Sequence, residues 1–195
     1  MANPTKIPFL DLVTPHQELE AELLAVVKKA FSNAGFIGGP MVEEFEREFA
    51  TFCGAKYCVG VNSGTDALRF AFMAAGVQPG DVIITVPHTF IATTEAISQA
   101  GAHIAFVDIH EQTYTMDPEK LSEYLDTRCE FNSKTGETIE RGSKRRVAGI
   151  VPVHLYGQTA DMDPILELAE KHNLFVIEDA CQAHGAQYFS KKDNA

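Results

Sequence analysis

Four short stretches of this chain, VIITVP (82–87), HIAFVDI (103–109), VAGIVPVH (147–154) and LFVIED (174–179), are apolar almost without a break. A strand with one wet face alternates apolar and polar residues. A strand buried on both faces does not, and such strands occur in parallel sheets covered by helices on both sides. A fifth run, YCVGV (57–61), reads the same way. Between the runs lie segments of helical periodicity: 63–76, 89–101, a helix opening at Asp117-Pro118, and one from Asp163-Pro164 to about His172. Asp before Pro is a helix start, with the carboxylate as N-cap and the ring at the first position. Strand and helix therefore alternate, and the spacing predicts an α/β three-layer sandwich with a mostly parallel sheet.

Two further helices precede this pattern. Pro15 to Asn33 repeats Leu19, Leu23, Val26, Val27 and Ala30 at helical spacing, FIGGP (36–40) is a turn, and MVEEFEREFATFCG places Phe45, Phe49 and Phe52 on one face. We divide the chain into an N-terminal helical segment, 1–56, and a sheet-containing portion, 57–195. Residues 130–146, EFNSKTGETIERGSKRR, interrupt the second portion. They are polar and locally basic, and read as an exposed hairpin or loop inserted before a core strand. A solvated excursion and a role in holding substrate phosphates both fit that composition.

At 195 residues the chain makes one large domain or an incomplete one. Sixteen basic residues against 27 acidic ones give a formal charge of −11, which argues against nucleic acid or an anionic membrane as partner. The four cysteines show neither CxxC nor zinc spacing, which fits a reducing, cytoplasmic setting and no metal. The N-terminus has no signal-peptide pattern, and no apolar run approaches the roughly 20 residues that span a bilayer.

Ligands of open parallel sheets bind outside the carboxyl ends of the strands. Here those ends carry Asn62-Ser63-Gly64-Thr65, His88-Thr89-Phe90, His154-Leu155-Tyr156-Gly157-Gln158 and Asp179-Ala180-Cys181-Gln182. Ser63 with Asp66 three residues on is a capping box. The same helix start can also hold an anion, with Gly64 admitting it close to the backbone. Phe90 is either core or a stacking face for a flat heterocycle. Asp179 either caps the next turn or pairs with a cation. It ends a wholly apolar strand, and an unpaired buried carboxylate costs several kcal/mol, so a cationic ring nitrogen would answer its placement. His154 reads as a satisfied strand-end histidine.

A phosphate cradle, a stacking aromatic and an aspartate for a pyridinium describe pyridoxal 5′-phosphate (PLP). GVNSGTDALRFAF, VPHTFIATTEAI, FVDI, VPVHLYGQTADMDPI and VIEDACQAHGAQY, together with IPFLDL, FIGGP and EEFEREFA near the N-terminus, resemble the DegT/DnrJ/EryC1/StrS family of nucleotide-sugar aminotransferases. The resemblance covers nearly the whole chain outside 130–146. It implies the large domain of a fold type I PLP-dependent transferase, working as a cytoplasmic homodimer on a nucleotide-sugar substrate with an amino-acid donor, usually glutamate. Residue by residue, it implies that Gly64 and Thr65 bind the cofactor phosphate, Phe90 lies against the ring, Asp179 pairs with the ring nitrogen, Gln182 sits near the phenolic oxygen and Tyr156 lines the substrate pocket. Glu178 and His184 lie within the motif without a direct role.

The family's chemistry also needs a lysine that forms a Schiff base with PLP, roughly 30 residues beyond the aspartate motif in a Ser-Phe-rich segment. Lys191 and Lys192 come too early and stand in a polar context, FSKKDNA. We therefore expect a fragment, inactive alone, without the Schiff-base lysine and the C-terminal small domain. A PLP-dependent sugar dehydratase, where histidine replaces that lysine, and a non-catalytic regulatory protein are the alternatives.

Overall fold

The computed structural model describes residues 9–190. They fall into two units, one ending at Gly60 and the other beginning at Val61.

The first unit holds three helices, α1 (Val13–Glu18), α2 (Glu20–Asn33) and α3 (Pro40–Cys53). The single helix expected from Pro15 to Asn33 is two, divided at Leu19, which stays in the right-handed helical region with φ of −95° and ψ of 0°. Asp11 caps the first of them, accepting from the backbone N–H groups of Val13 and Thr14. Gly38 and Gly39 take positive φ in the FIGGP turn, and Pro40 opens α3. Phe45, Phe49 and Phe52 line one face of α3 with ring centroids 5.4 and 6.0 Å apart in succession.

The expected strand at 57–61 is not formed. Tyr57 and Val59 are exposed, and the Gly60 N–H donates to the Glu46 carboxylate at 2.7 Å instead of to a ladder. A strand exists only beside another strand, and among the described residues none runs next to this segment.

The second unit is built on a six-stranded mixed sheet: β1 (Val82–Thr85), β2 (His103–Phe106), β3 (Cys129–Asn132), β4 (Glu137–Glu140), β5 (Arg146–Ile150) and β6 (Phe175–Val176). The four apolar runs are its parallel part: β1 lies between β2 and β5, and β5 pairs with β6. Segment 130–146 is the expected hairpin, yet it is not outside the sheet. β3 and β4 pair antiparallel, and β4 pairs with the first two residues of β5. Since β1 occupies one flank of β5, β4 and β6 share the other: β4 at Arg146 and Val147, β6 at Gly149 and Ile150.

All four residues of β1 are buried, and its side chains point alternately into two cores, as period-two geometry requires. Ile83 packs with Leu68, Phe72, Ala96 and Ile97 beneath α4 (Gly64–Ala74) and α5 (Ile91–Gln99). Val82 and Ile84 pack with Leu121, Leu125, Ile165 and Ala169 beneath α6 (Pro118–Arg128) and α7 (Met162–Lys171). Helix, sheet and helix form the three layers. Gly149 is needed where β5 meets β6, because a Cβ there would overlap the Phe175 ring. The ladder of β5 ends before Pro152, which has no N–H to give. Hydrogen bonds nevertheless continue along the extended chain: Val151 N–H to Ile84 O, Asp179 N–H to Pro152 O and His154 N–H to Asp179 O. They carry the carboxyl ends of β1, β5 and β6 out together. Among the described residues no helix is long and apolar enough to cross a membrane.

Candidate functional site

Every sequence-predicted site residue lies in the second unit, at the carboxyl edge of the parallel strands. Ser63 is the N-cap of α4, with its hydroxyl accepting from the Asp66 N–H at 3.1 Å. The Asp66 carboxylate turns to Arg69 at 2.9 Å, so the Ser63 half of the capping box is the half that is formed. It leaves the N–H groups of Gly64 and Thr65, the first two of the helix, without an intrahelical acceptor. Gly64 is also where a side chain could not fit comfortably: a Cβ would stand 3.2 Å from the Cys181 Sγ. That contact places the start of α4 directly against the loop that follows β6.

Asp179 is 6% exposed and joins Val153 through an isolated parallel bridge. Its Oδ2 accepts from the Thr93 hydroxyl at 2.7 Å and its Oδ1 from the Cys181 N–H at 3.3 Å. Among the described residues no lysine or arginine forms an ion pair with it. A carboxylate offers about four acceptor positions; the Thr93 hydroxyl and the Cys181 N–H take two, and the Cys181 thiol also hydrogen-bonds to it. Partial burial and the adjoining Asp179 carboxylate push the Cys181 thiol up to about 11, so it stays protonated at neutral pH.

Phe90 is the N-cap of α5 and is 69% exposed, so it is not a core residue. Gln182 accepts from the Tyr156 N–H at 3.3 Å through its side-chain oxygen, which binds the Asp179 loop to the turn after β5. Tyr156 adopts φ of 59°, a left-handed conformation unusual for a bulky residue. Its hydroxyl meets His88 Nε2 at 3.2 Å, and Tyr114, also at φ of 59°, lies across the same imidazole with centroids 6.0 Å apart. Sequence reasoning named His88 at a strand end without giving it a role, and passed over Tyr114 and Thr93. Thr93 had a signal: it stands one helical turn after Thr89, a polar residue among apolar ones.

His154 is a satisfied strand-end histidine, as expected. Nδ1 accepts from the Ala160 N–H at 3.1 Å, so Nε2 carries the proton and donates to Glu178 at 2.7 Å. That hydrogen bond holds the Glu178 carboxyl below its usual range. The basic end of the hairpin lies at the other edge of the sheet. β4 meets β5 at Arg146 and Val147, the start of the strand, whereas the site follows its end. The hairpin cannot supply phosphate ligands to this cleft. The cleft itself is open. A cavity of about 430 Å³ lies apart from Gly64 and Asp179, lined by His110, Met116, Asp161, Tyr188 and Phe189 among others. Lys191 and Lys192 fall outside the described residues.

The DegT/DnrJ/EryC1/StrS aminotransferase family model matches residues 17–193. The chain belongs to that family. A curated family relative, dTDP-3-amino-3,4,6-trideoxy-alpha-D-glucose transaminase of Streptomyces venezuelae, is 39% identical over 194 residues, which cover all of this chain and 46% of the relative. The solved structure of S. venezuelae DesV in complex with a ketimine intermediate superposes with a TM-score of 0.81 at 40% identity, over 94% of this chain and 44% of that one. NtdA from Bacillus subtilis, solved with bound cofactor PMP, gives 0.78 at 31% identity, over 95% and 39%. The chain thus spans about half the length of these family members, and its α/β architecture is that of PLP-dependent aminotransferases.

Proposed function

We propose that this chain is the cofactor-holding part of a PLP-dependent aminotransferase that acts on nucleotide-linked ketosugars with glutamate as amino donor. The observation that carries the reading is Asp179: a buried carboxylate with no lysine or arginine partner among the described residues, beside a helix start that Gly64 opens to a ligand. A pyridinium N–H fits the acceptor capacity left on that carboxylate, and a phosphate dianion fits the N–H groups of Gly64 and Thr65. When bound, PLP supplies an electrophilic carbonyl and an electron-sink ring for moving an amino group.

The chain's own residues do the holding. Gly64 and Thr65 donate to the phosphate at the positive end of α4. Phe90 offers an exposed face to the ring. Asp179 keeps a proton on the ring nitrogen by placing its charge there in a poorly hydrated setting. Gln182 accepts from Tyr156 through its oxygen and has its amide N–H groups left for the phenolic oxygen. Tyr156 lines the substrate side of the cleft. No described lysine is assigned to the covalent step. α2 leaves Leu23, Leu24 and Val27 exposed, and apolar residues in such numbers support an assembled, homodimeric form.

Absorbance titration with PLP tests the reading. Asp179→Asn should weaken binding roughly 10- to 100-fold, the worth of a charge-assisted hydrogen bond of about 1.5–3 kcal/mol. Equal affinity for the two proteins would sink the assignment.

A further inference from the structure

The site contains a clamp that the proposed cofactor contacts do not account for. Thr93 is fully buried, at 0% exposure, in the first turn of α5. A hydroxyl there costs free energy unless it is bonded, and valine would fill the same space without that cost. The hydroxyl is bonded twice. It donates to Asp179 Oδ2 at 2.7 Å and meets the Thr89 hydroxyl at 2.8 Å. A carboxylate only accepts, so the Thr93 proton points to Asp179 and the Thr89 proton must point to Thr93. The chain runs one way, from Thr89 through Thr93 to Asp179.

The two carboxylate oxygens are therefore held from two sides, Oδ2 by Thr93 and Oδ1 by the Cys181 N–H. Two donors fix the carboxylate plane as well as its position. The donor on one side belongs to the same helical turn as Phe90. Phe90 is the N-cap of α5, Thr93 lies three residues on, and the Thr93 N–H bonds to the Phe90 carbonyl at 3.2 Å. One turn of helix sets both the stacking ring and the carboxylate.

We infer that Thr93 is a positioning residue: it orients Asp179 toward the ring nitrogen and registers that carboxylate with Phe90. The inference rests on the PLP reading above. It makes Thr93 matter only for ligands that possess the ring nitrogen, which separates orientation from mere packing.

The test is equilibrium binding of two probes by the full chain, PLP and its analogue with carbon in place of the ring nitrogen. Each is titrated against wild type, Thr93→Val, Thr93→Ser and Thr89→Val, with thermal melts to confirm folding. Wild type should prefer PLP. Thr93→Val should lose at least about fivefold in PLP affinity, with little change for the analogue. Thr93→Ser should keep the preference, because it keeps the hydroxyl. Thr89→Val should lose less than Thr93→Val, since it removes a donor to Thr93 and not one to Asp179. Equal losses for both probes in Thr93→Val, or a preference untouched by it, would overturn the positioning role while leaving the cofactor reading intact. A wild type that binds neither probe, or does not distinguish them, would overturn the cofactor reading and this inference with it. Should Thr93→Val fail to fold, the serine and Thr89 variants decide: a preference lost in Thr93→Ser overturns the role.

Discussion

Two aspartates in the second unit are equally hidden from water, Asp81 and Asp179, each 6% exposed. They sit at opposite edges of the same sheet. Asp81 directly precedes β1, at the amino edge. Arg146 grips it with two nitrogens, Nε on Oδ1 at 3.0 Å and Nη2 on Oδ2, and the Gln78 N–H adds a third bond at 2.8 Å. Asp179, at the carboxyl edge, meets only uncharged donors, the Thr93 hydroxyl and the Cys181 N–H and thiol. Similar burial thus comes with very different company. The first is neutralised within the chain and joins β1 to β5. The second has no lysine or arginine partner among the described residues.

The comparison can be broken most directly by removing partners. Arg146→Met leaves Asp81 buried without a cation. Breaking a buried pair costs about 3–5 kcal/mol, and we discount that to roughly 2–3 because the Arg146 side chain is 37% exposed. Asp179→Asn removes a charge that has no described cation, and should shift stability by less than about 1 kcal/mol. Urea unfolding of both variants checks this. If the order were reversed, Asp179 would be structural and the contrast would fail.

His172 shows a third way to bury a titratable group. It is 5% exposed, neither ring nitrogen has a partner among the described residues, and burial lowers its pKa. The imidazole is therefore buried neutral. A lowered pKa means the unfolded chain takes up the proton first, so this contribution is complete above about pH 6.5 and is lost as pH falls toward the folded value. Stability measured from pH 7 to 5 should decline less in His172→Phe than in wild type. Parallel curves would show that His172 charges freely in the fold.

The smallest expected effect is local. The Cys181 thiol is raised by partial burial and then by Asp179, so Asp179→Asn should lower it and quicken its alkylation at pH 9 by about two- to threefold. Peptide mass mapping distinguishes it from Cys53, Cys58 and Cys129. An unchanged rate would mean that the Asp179 charge does not reach the start of α4.

The parallel part of the sheet was legible in residue type, although only β1 and β5 are buried almost throughout, and β2, at the edge, leaves His103 and Phe106 exposed. The carboxyl-edge position of Phe90, Tyr156, Asp179 and Gln182 followed from that topology, whereas Gly64 reaches the Cys181 loop without the strand expected before it. What escaped depends on partners distant in the chain. Residues 57–61 look like a strand, but their pattern says nothing of whether a neighbour is available. The Asp81–Arg146 pair joins residues 65 apart and has no local mark. The 130–146 hairpin was readable as a hairpin, whereas its pairing with β5 was not, since Thr138 and Ile139 meet their partners only across the register of the sheet. The break at Leu19 falls within an unbroken helical periodicity.

The forked flank of β5 has a consequence for the order in which the sheet can assemble. β4 reaches β5 across seven to nine residues, while β1 reaches it across 65 or 66. Loop-closure entropy grows with the logarithm of the span, so the distant pairing carries roughly 2 kcal/mol more of it. The hairpin gives the central strand an edge to settle on before any long loop has closed, and β1 and β6 then add to a strand already held at one end. A segment that contributes nothing to the cleft thus sets the starting point for the strands that build it.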